Sequence, residues 1–497
     1  MTQIAIIGSG FSGLSAAAFL AKKGLNVEVF EKNSQLGGRA RQWVQDGFVF
    51  DMGPSWYWMP EVFENFYNHF GYTTGDFYKL VRLEPSFRIY FGKDSVMNIP
   101  SDFDEVCELF ERTEKGGADK LRMFMKGAAF KYETGIQDLV YKPGLSLTEF
   151  LDKRVLSGVF KLDVFSSFSK HVRSYFKDPR LISLMEFPVL FLGAKPSDTP
   201  ALYSLMNYAG LKLGTWYPMG GMGEIVNAMK TIAESQGAKF YADSPVSGFD
   251  FEGNSIRLVK VNDREIPVRS VVASADYQHV ESLLPLHKQS YKENYWSSRV
   301  MAPSSLIFYL GVKKKLPSLV HHNLFFDEDF ALHADEIYTR PAWPSRPLFY
   351  ICCPSKTDPS VAPEECENLF ILMPLAPGLR DEYSIREKYF QIIMERFEKL
   401  TGEKIEKEDI LVKRSYCISD FVQDYNSFKG NAYGLANTLR QTAILKPSIK
   451  SKKVNNLYFT GQLTVPGPGV PPAIISGQIV ASQLMKELKN LQNETAF

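Results

Sequence analysis

The sequence predicts an α/β fold of two lobes, and one lobe is assembled from three segments that lie far apart in the chain. Three observations support this prediction. A glycine-rich turn follows an apolar run at residues 4–7, another precedes an amphipathic stretch after residue 223, and a proline- and glycine-rich segment at residues 466–472 precedes a helical pattern. Turns of this kind join strands to helices in α/β sheets.

The composition is that of a globular chain with a large core. The chain has 497 residues, more than one average domain, with 45% hydrophobic and 23% charged residues. The net charge of +1 gives no indication of a nucleic-acid partner. No signal peptide is indicated, and no apolar run approaches the ~18 residues that a membrane-spanning helix needs.

Neither the cysteines nor the histidines have the spacing of metal ligands. The five cysteines are therefore expected to be buried thiols in a reducing cytoplasm. His321 and His322 are adjacent but stand apart from other metal-ligating residues in the sequence, so no metal site is predicted.

The first segment has the pattern of a dinucleotide-binding unit. Residues 4–7 form an apolar strand, the stretch "LSAAAFLAKKG" forms a helix closed by Gly24, and a second strand ends at Glu31 and Lys32. The residues predicted to bind the dinucleotide are Glu31, Lys32 and the turn between the first strand and the helix, which consists of Gly8, Ser9, Gly10, Phe11, Ser12 and Gly13.

The glycines of this turn have separate roles. Gly8 permits the tight turn, Gly10 lets the backbone approach a pyrophosphate, and Gly13 lets the helix pack closely on the sheet. The N–H groups at the helix start face the phosphates. Glu31, 23 residues after Gly8, is placed to accept hydrogen bonds from ribose hydroxyls. The unit therefore predicts a Rossmann-like domain.

The residues after Glu31 favour a flavin over a nicotinamide cofactor. A nicotinamide dehydrogenase would continue with a helix and a strand, whereas this chain has a Gly-Gly-Arg segment and a hairpin around Asp46-Gly47. This arrangement resembles the flavin-containing amine oxidase and carotenoid desaturase superfamily. The resemblance implies FAD contacts for Gly38, Arg39, Gly53, Pro54 and Ser55, with the arginine near the pyrophosphate and the Gly-Pro segment near the flavin ring.

The second segment begins at "GGMG" (residues 220–223) and continues into an amphipathic helix, a strand and a β-meander. By the same resemblance, Val246 contacts the adenine through its backbone and residues 271–275 re-enter the sheet.

The third segment is "NNLYFTGQLTVPGPGVPPAIISG". Its strand ends at Gly461, and a helix is expected from Ala473 onward. Glycines leave room for a planar ring, and the N–H groups at a helix start favour negative charge on it. Gly467 to Pro471 are predicted to lie against the flavin. The remaining cofactor-binding residues expected here are Gly461, Gln462, Gly469, Val470 and Pro471.

Together the segments resemble the bacterial-type phytoene desaturases along essentially the whole chain. The resemblance implies FAD as the redox cofactor and a long apolar polyene, a carotenoid precursor, as the substrate. Double bonds would be introduced stepwise from phytoene towards lycopene, by hydride transfer to flavin N5 and proton loss. No catalytic residue is assigned, because the acids considered, Glu149 and Asp152, have the pattern of solvated helix residues.

The predicted fold class is thus α/β, with a discontinuous Rossmann-like FAD-binding domain and a mixed α+β substrate domain. The FAD-binding domain comprises residues 1–75, 218–285 and 420–497. The substrate domain comprises residues 76–217 and 286–419, where apolar and aromatic residues suit a ligand without polar groups.

A membrane-surface location follows from the expected substrate. At ~0.8 kcal/mol per buried CH₂, a carotenoid precursor stays in lipid unless a protein extracts it. We therefore expect a peripheral contact on the cytoplasmic face of the membrane, with Leu156 to Phe176 as a candidate element. The sequence does not predict the oligomeric state.

Three alternatives stay open. The first is another enzyme of the same family, either a hydroxycarotenoid 3,4-desaturase or a carotenoid isomerase or oxidase. The second is a flavin amine oxidase. The third is a non-enzymatic prenyl-lipid binding protein on the same fold. The intact glycine turn with Glu31 and Arg39 favours a FAD enzyme over the last of these.

Overall fold

Two large sheets organise the chain. The computed structural model describes residues 4–135, 140–145, 166–438 and 440–494. The strands are β1 (Ile4–Ile7), β2 (Val27–Phe30), β3 (Gln42–Gln45), β4 (Phe48–Asp51), β5 (Leu80–Arg82), β6 (Phe87–Gly92), β7 (Ser95–Ile99), β8 (Trp216–Pro218), β9 (Lys239–Tyr241), β10 (Val246–Glu252), β11 (Ser255–Val261), β12 (Arg264–Pro267), β13 (Ser270–Ala273), β14 (Ser304–Val312), β15 (His322–Phe325), β16 (Phe349–Cys352), β17 (Glu367–Leu375), β18 (Ile410–Tyr416) and β19 (Leu457–Phe459).

The α-helices pack against both sheets. They are α1 (Phe11–Ala21), α2 (Pro60–Asn68), α3 (Phe103–Thr113), α4 (Gly117–Thr134), α5 (Phe168–Tyr175), α6 (Pro179–Glu186), α7 (Leu205–Asn207), α8 (Gly223–Ser235), α9 (Tyr277–Ser282), α10 (Glu293–Ser297), α11 (Phe330–Tyr338), α12 (Tyr383–Thr401), α13 (Ile418–Tyr425) and α14 (Val470–Glu494). No helix in the described ranges is long and apolar enough to cross a membrane.

The first sheet is parallel, with strand order β19-β13-β1-β2-β9. Its central strand β1 is fully buried, because helix α1 packs on one face of the sheet and strands β10–β12 pack on the other. The strands come from all three segments that the sequence assigns to FAD binding, and the predicted meander is the antiparallel sheet β10-β11-β12. The predicted α/β, Rossmann-like fold class is confirmed.

The second sheet has seven strands in the order β18-β14-β17-β16-β15-β6-β7. All neighbours are antiparallel except β15 and β6. Every strand of this sheet falls between residues 76–217 or 286–419. The hairpin β3–β4 lies beside β17, and the Asn368 side-chain amide on β17 donates to the carbonyl of Val49 on β4 at 2.8 Å.

Two predicted helix starts are wrong by three residues. Helix α1 begins at Phe11 and not at Leu14, so Gly13 lies inside the helix. Helix α14 begins at Val470 and not at Ala473. Two prolines are accommodated there because a first helical turn leaves its N–H groups without partners in any case.

The membrane element predicted at Leu156 to Phe176 is only partly described. Residues 156–165, with Glu149 and Asp152, lie outside the described residues. The rest forms α5, whose Phe168 and Val172 are buried in the core. All five cysteines are buried and unpaired.

Candidate active site

The glycine turn after β1 combines one tight contact with one open position. A Cβ on Gly13 would lie 2.2 Å from the carbonyl oxygen of Gly8, whose φ of +92° closes the turn. A Cβ on Gly10 would meet nothing within 4 Å. Gly13 is therefore required by packing, whereas Gly10 leaves free space beside the backbone.

Helix α1 presents an uncapped N-terminus at this space. Its N-cap is Gly10, which has no side chain to occupy the free N–H groups. Helix α14 packs against the same end of α1, since a Cβ on Gly477 would lie 2.3 Å from the Ser12 carbonyl oxygen and Ser15 Oγ donates to the Ile474 carbonyl at 2.7 Å. The site is thus backed by two helices that touch through small residues.

Glu31 is buried at the end of β2 and its carboxylate holds the turn. Oε2 accepts from Ser9 N at 3.0 Å and Ser9 Oγ at 2.7 Å, and Oε1 accepts from Asn33 N and Nδ2, both at 3.0 Å. The Ser9 hydroxyl also accepts from Gly37 N at 3.3 Å, so Glu31 and Ser9 hold the glycine turn against the Gly-Gly-Arg segment. The Lys32 ammonium donates to the Gln423 carbonyl and to Asn426 Oδ1.

Val246 lies close to this acid. It is buried at the start of β10, two residues after Ser244, whose N–H donates to the Glu31 carbonyl at 2.7 Å. The structure therefore brings the predicted adenine contact next to the predicted ribose contact.

Gly38 and Arg39 lie on the other side of the turn. A Cβ on Gly38 would be 3.2 Å from Gly10 Cα. The half-buried Arg39 guanidinium donates from Nη2 to Ser427 Oγ at 3.1 Å and to the Asn431 carbonyl at 3.2 Å, and it lies 5.0 Å from the Tyr425 ring centroid. Burial lowers the pKa of Arg39, and Tyr425 and Asp276 oppose that shift.

The described residues fit the pyrophosphate of FAD. Arg39 Nε is buried and has no hydrogen-bond partner in the described part of the chain, although a guanidinium keeps its charge in proteins. A buried, unused donor on a cation, free space over Gly10 and an uncapped helix start together suit an anion. When bound, FAD supplies a hydride acceptor at its N5 atom.

The predicted flavin segment after β4 connects this site to the second sheet. A Cβ on Gly53 would lie 2.6 Å from the Arg39 carbonyl oxygen. Beyond Pro54, the Ser55 hydroxyl is 3.0 Å from the Tyr350 hydroxyl, which is also 2.6 Å from His322 Nδ1. The segment after β4 and the seven-stranded sheet therefore meet at Ser55.

The C-terminal segment reaches the same place. Gly461 has a φ of +108°, and a Cβ there would lie 3.2 Å from Ser12 Oγ. The Gln462 amide donates to Asn431 Oδ1 at 3.3 Å. Gly467 is buried, Gly469 is exposed, and Val470 and Pro471 are half-buried at the start of α14.

A further loop, residues 424–437, belongs to the site but was not among the predicted cofactor residues. It supplies Tyr425, Ser427 and Asn431 to Arg39, and a Cβ on Gly434 would lie 2.7 Å from the Gln462 carbonyl oxygen. Its sequence signal is the density of Asn and Gly in "YNSFKGNAYG", which is typical of an irregular loop with left-handed residues.

The two adjacent histidines lie in a buried polar cluster between the sheets. Ligand atoms of His321, His322 and Cys352 all lie within 4.8 Å of one another, because His322 and Cys352 are cross-strand partners. Burial lowers the pKa of His321 to about 3 and that of His322 well below its usual value, so both rings are neutral at physiological pH. The sequence spacing gave no indication of Cys352.

Aromatic side chains form a wall between Ser55 and the seven-stranded sheet. The Trp56 ring stacks on His322 with centroids 4.1 Å apart and contacts Trp58 and Phe87 edge-on. An adjoining apolar cavity is lined by Phe187, Pro303, Leu324, Phe326, Phe330, His333, Ala334, Ile337, Leu348, Phe349, Tyr350, Leu372, Pro374 and Tyr433. His333 is fully hydrogen-bonded and burial lowers its pKa to about 4, so this lining carries no charge.

Sequence comparisons agree with this geometry. The family model described as flavin containing amine oxidoreductase matches residues 11–485. A carotenoid 3,4-desaturase from Haloarcula japonica is 39% identical over 488 residues, covering 98% of both chains. A zeta-carotene-forming phytoene desaturase from Myxococcus xanthus is 32% identical over 495 residues, covering 97% of this chain and 94% of the relative.

Solved structures share the fold. An oxidoreductase from Methanosarcina mazei superposes with a TM-score of 0.63 at 17% identity, covering 97% of this chain and all of that one. Cyclohexylamine oxidase from Brevibacterium oxydans IH-35A superposes with a TM-score of 0.57 at 13% identity, covering 98% and 99%.

FAD is accordingly the cofactor, and the chain is an oxidoreductase acting on CH–CH groups. Because the family model spans most of the chain and both relatives align along nearly its whole length, the chain belongs to the flavin-containing amine oxidoreductase family and, within it, to the carotenoid desaturases.

Proposed function

We propose that this protein desaturates phytoene stepwise towards lycopene. The observation that carries the proposal is the uncharged, aromatic wall that adjoins the cofactor segment at Ser55. A C–H-rich polyene offers no hydrogen bond, so it is bound by apolar area and shape. Relatives named as phytoene desaturases, from Myxococcus xanthus and Phycomyces blakesleeanus, align over 97% of this chain.

The residues of the chain then have three tasks. The Arg39 guanidinium and the start of α1 hold the pyrophosphate, which fixes the position of the cofactor. Trp56, Phe187 and Tyr350 exclude water from the reacting carbon atoms. The negative faces of aromatic rings stabilise the positive charge that spreads along the polyene after hydride loss.

A second candidate is 3,4-desaturation of a carotenoid that already carries a long conjugated chain. The specific observation in its favour is the 39% identity to the Haloarcula japonica carotenoid 3,4-desaturase. Both candidates use the same FAD site and differ in which carbon atoms lie beside the flavin.

The two candidates are separated by expressing the protein in cells that accumulate phytoene and, separately, in cells that accumulate lycopene. Phytoene desaturation predicts loss of phytoene and appearance of visible pigment in the first cells. Unchanged phytoene, with a longer conjugated product only in the second cells, would overturn the first candidate and favour the second. Gly13→Val, which blocks the turn, is the control for background pigment.

We also propose a peripheral contact with the cytoplasmic face of the membrane. The outer face of α4 exposes Met123 (59%) and Phe130 (41%) next to the exposed cations Arg122 and Lys126. Apolar residues flanked by basic ones are typical of helices that lie in the interface of anionic bilayers. Such a surface gives a lipid-dissolved substrate a route into the substrate domain.

A further inference from the structure

Two buried polar atoms converge on Gly467, in the middle of the proline- and glycine-rich segment. The side chains are Lys446, which is 5% exposed, and Asn437, which is 2% exposed. A Cβ on Gly467 would lie 3.3 Å from both Lys446 Nζ and Asn437 Oδ1. Neither atom has a hydrogen-bond partner within the part of the chain that the structure describes.

Such a pair is costly unless something binds it. A buried ammonium or amide oxygen without a partner loses its hydrogen bonds to water and gains none in return. Burial lowers the pKa of Lys446 to about 7, and no carboxylate opposes the shift. Among the described residues, therefore, none supplies a partner for Lys446.

The backbone holds both residues against the cofactor segment. Thr464 Oγ1 donates to the Pro447 carbonyl at 2.6 Å, directly after Lys446. Asn437 is the last residue of the loop in which Gly434 packs on the Gln462 carbonyl. Both side chains are thus aimed at the stretch predicted to lie against the flavin ring, and this packing fixes their direction.

We propose that Lys446 and Asn437 bind the imide edge of the flavin ring. Lys446 Nζ donates to a ring carbonyl oxygen, and Asn437 Oδ1 accepts from the neighbouring N3–H. A donor beside an acceptor complements an edge that carries a carbonyl next to an N–H. A pyrophosphate offers only acceptors, and a polyene offers neither, so each would leave at least one of these atoms without a partner.

The pair also has an electrostatic consequence. A cation beside a ring carbonyl stabilises the negative charge that the ring gains on two-electron reduction, and the low local dielectric strengthens the effect. Lys446 is thus a cofactor-binding residue that raises the reduction potential of the bound flavin. The assignment goes beyond the choice of carotenoid substrate, because it concerns the FAD that all candidates share.

The first test compares purified holoprotein with Lys446→Met and with the exposed control Lys453→Met. We expect Lys446→Met to bind FAD about tenfold more weakly, and reduction to become tenfold less favourable, which lowers the midpoint potential by about 30 mV. Lys453→Met should match the wild type. Unchanged affinity and potential in Lys446→Met would overturn the proposal.

The apoprotein distinguishes a binding role from a structural one. Because Met removes a buried cation without a partner, apo Lys446→Met should unfold at the same temperature as the wild type or higher. A lower unfolding temperature would show that Lys446 supports the fold itself, and would contradict the proposal.

A second variant tests the acceptor. Asn437→Ala should lose affinity for FAD, but it should bind 3-methyl-FAD as well as the wild type does, because that analogue has no N3–H to donate. An equal loss with both cofactors would overturn the contact with N3. These measurements of FAD binding and flavin potential do not involve phytoene. If cells that express the protein keep their phytoene but Lys446→Met shows the expected fall in flavin potential, only the proposed substrate is rejected.

Discussion

Gly10 and Gly13 show how residues three positions apart serve different needs. Gly13 touches the carbonyl of Gly8, so the turn itself depends on it, whereas the space over Gly10 is used only by a ligand. Glycine spacing alone does not separate these roles, since both positions belong to the same motif. The distinction requires the distances to neighbouring atoms.

Gly10→Ala is therefore expected to fold normally and to lose FAD. The added methyl group meets no protein atom, so the apoprotein should unfold at the wild-type temperature. It fills the approach of the pyrophosphate, and we expect at least tenfold weaker FAD binding, measured by flavin fluorescence on titration. Gly13→Ala is the contrasting variant and should destabilise the apoprotein. Wild-type FAD affinity in Gly10→Ala would contradict the assignment.

Arg39→Met tests whether the Arg39 guanidinium binds the pyrophosphate of FAD. A hydrogen bond to a charged group is worth ~1.5–3 kcal/mol, so FAD affinity should fall by roughly tenfold to a hundredfold. Arg112→Met, on the exposed side of α3, is the control and should leave affinity unchanged. FAD titration that gives the same dissociation constant for Arg39→Met and the control would reject the role of Arg39.

Helix α14 holds the N-terminal end of α1 in position through direct contact. The two helices are in close contact at Gly477, where a Cβ would meet the Ser12 carbonyl oxygen at 2.3 Å and Ser15 Cβ at 2.7 Å. The amphipathic pattern predicts both helices, but it does not predict that they touch. That contact joins Ser15 to Ile474, 459 positions along the chain.

Gly477→Ala should push the two helices apart. We expect a lower unfolding temperature and weaker retention of FAD on gel filtration, because the displaced helix begins at Val470, directly after Gly469 of the predicted flavin segment. Gly127→Ala, on the solvent side of α4, is the matched control and should be neutral or slightly stabilising. An unchanged melting curve for Gly477→Ala would show that α14 can shift without cost.

The hairpin β3–β4 is tied to helix α8 by a carboxylate whose charge is disfavoured. Asp51 accepts from Met222 N at 2.8 Å and from Gln42 Nε2 at 3.0 Å, but burial dominates and raises its pKa from 3.8 to about 6. The folded state therefore binds the Asp51 proton more tightly than the unfolded state does between about pH 4 and pH 6.

The free energy of unfolding contributed by this group should fall as the pH rises from about 4 to about 6, and level off above that range. The loss is at most about 1.4 kcal/mol per pH unit. Asp51→Asn removes the titration of this group. The free energy of unfolding of the wild type in urea, minus that of Asp51→Asn, should therefore become smaller or more negative as the pH rises from about 4 to about 6. The exposed control Asp94→Asn should show no such trend. Parallel curves for wild type and Asp51→Asn would refute the shift.

In the whole molecule, the two sheets contribute different parts of the site. The parallel sheet carries the glycine turn, Glu31 and the C-terminal segment, while the seven-stranded sheet supplies His322 and Tyr350 to the aromatic wall. The proposed membrane surface on α4 belongs to the substrate side. The substrate would then pass from the lipid at α4 to the aromatic wall, which adjoins the cofactor at the parallel sheet.

Flotation with anionic liposomes tests that surface. The wild type should float with the vesicles, and Met123→Glu combined with Phe130→Glu should reduce the floating fraction several-fold while leaving the FAD spectrum unchanged. Replacing the exposed Val44, in the FAD-binding lobe, by Glu is the matched control. Equal flotation of all three proteins would place the membrane contact elsewhere.

The sequence by itself determined the fold class and the segments that build the parallel sheet, because strand, turn and helix patterns, and the glycines between them, are set by local backbone geometry. The cofactor was predicted from the resemblance of the Gly-Gly-Arg segment and the hairpin to flavin enzymes. Only the tertiary structure decided that Ser427 and Asn431 bind Arg39, that Cys352 faces two histidines, and that Lys446 and Asn437 converge on Gly467. Arg39 and Ser427 are 388 positions apart, and no local pattern encodes which distant side chains folding brings together.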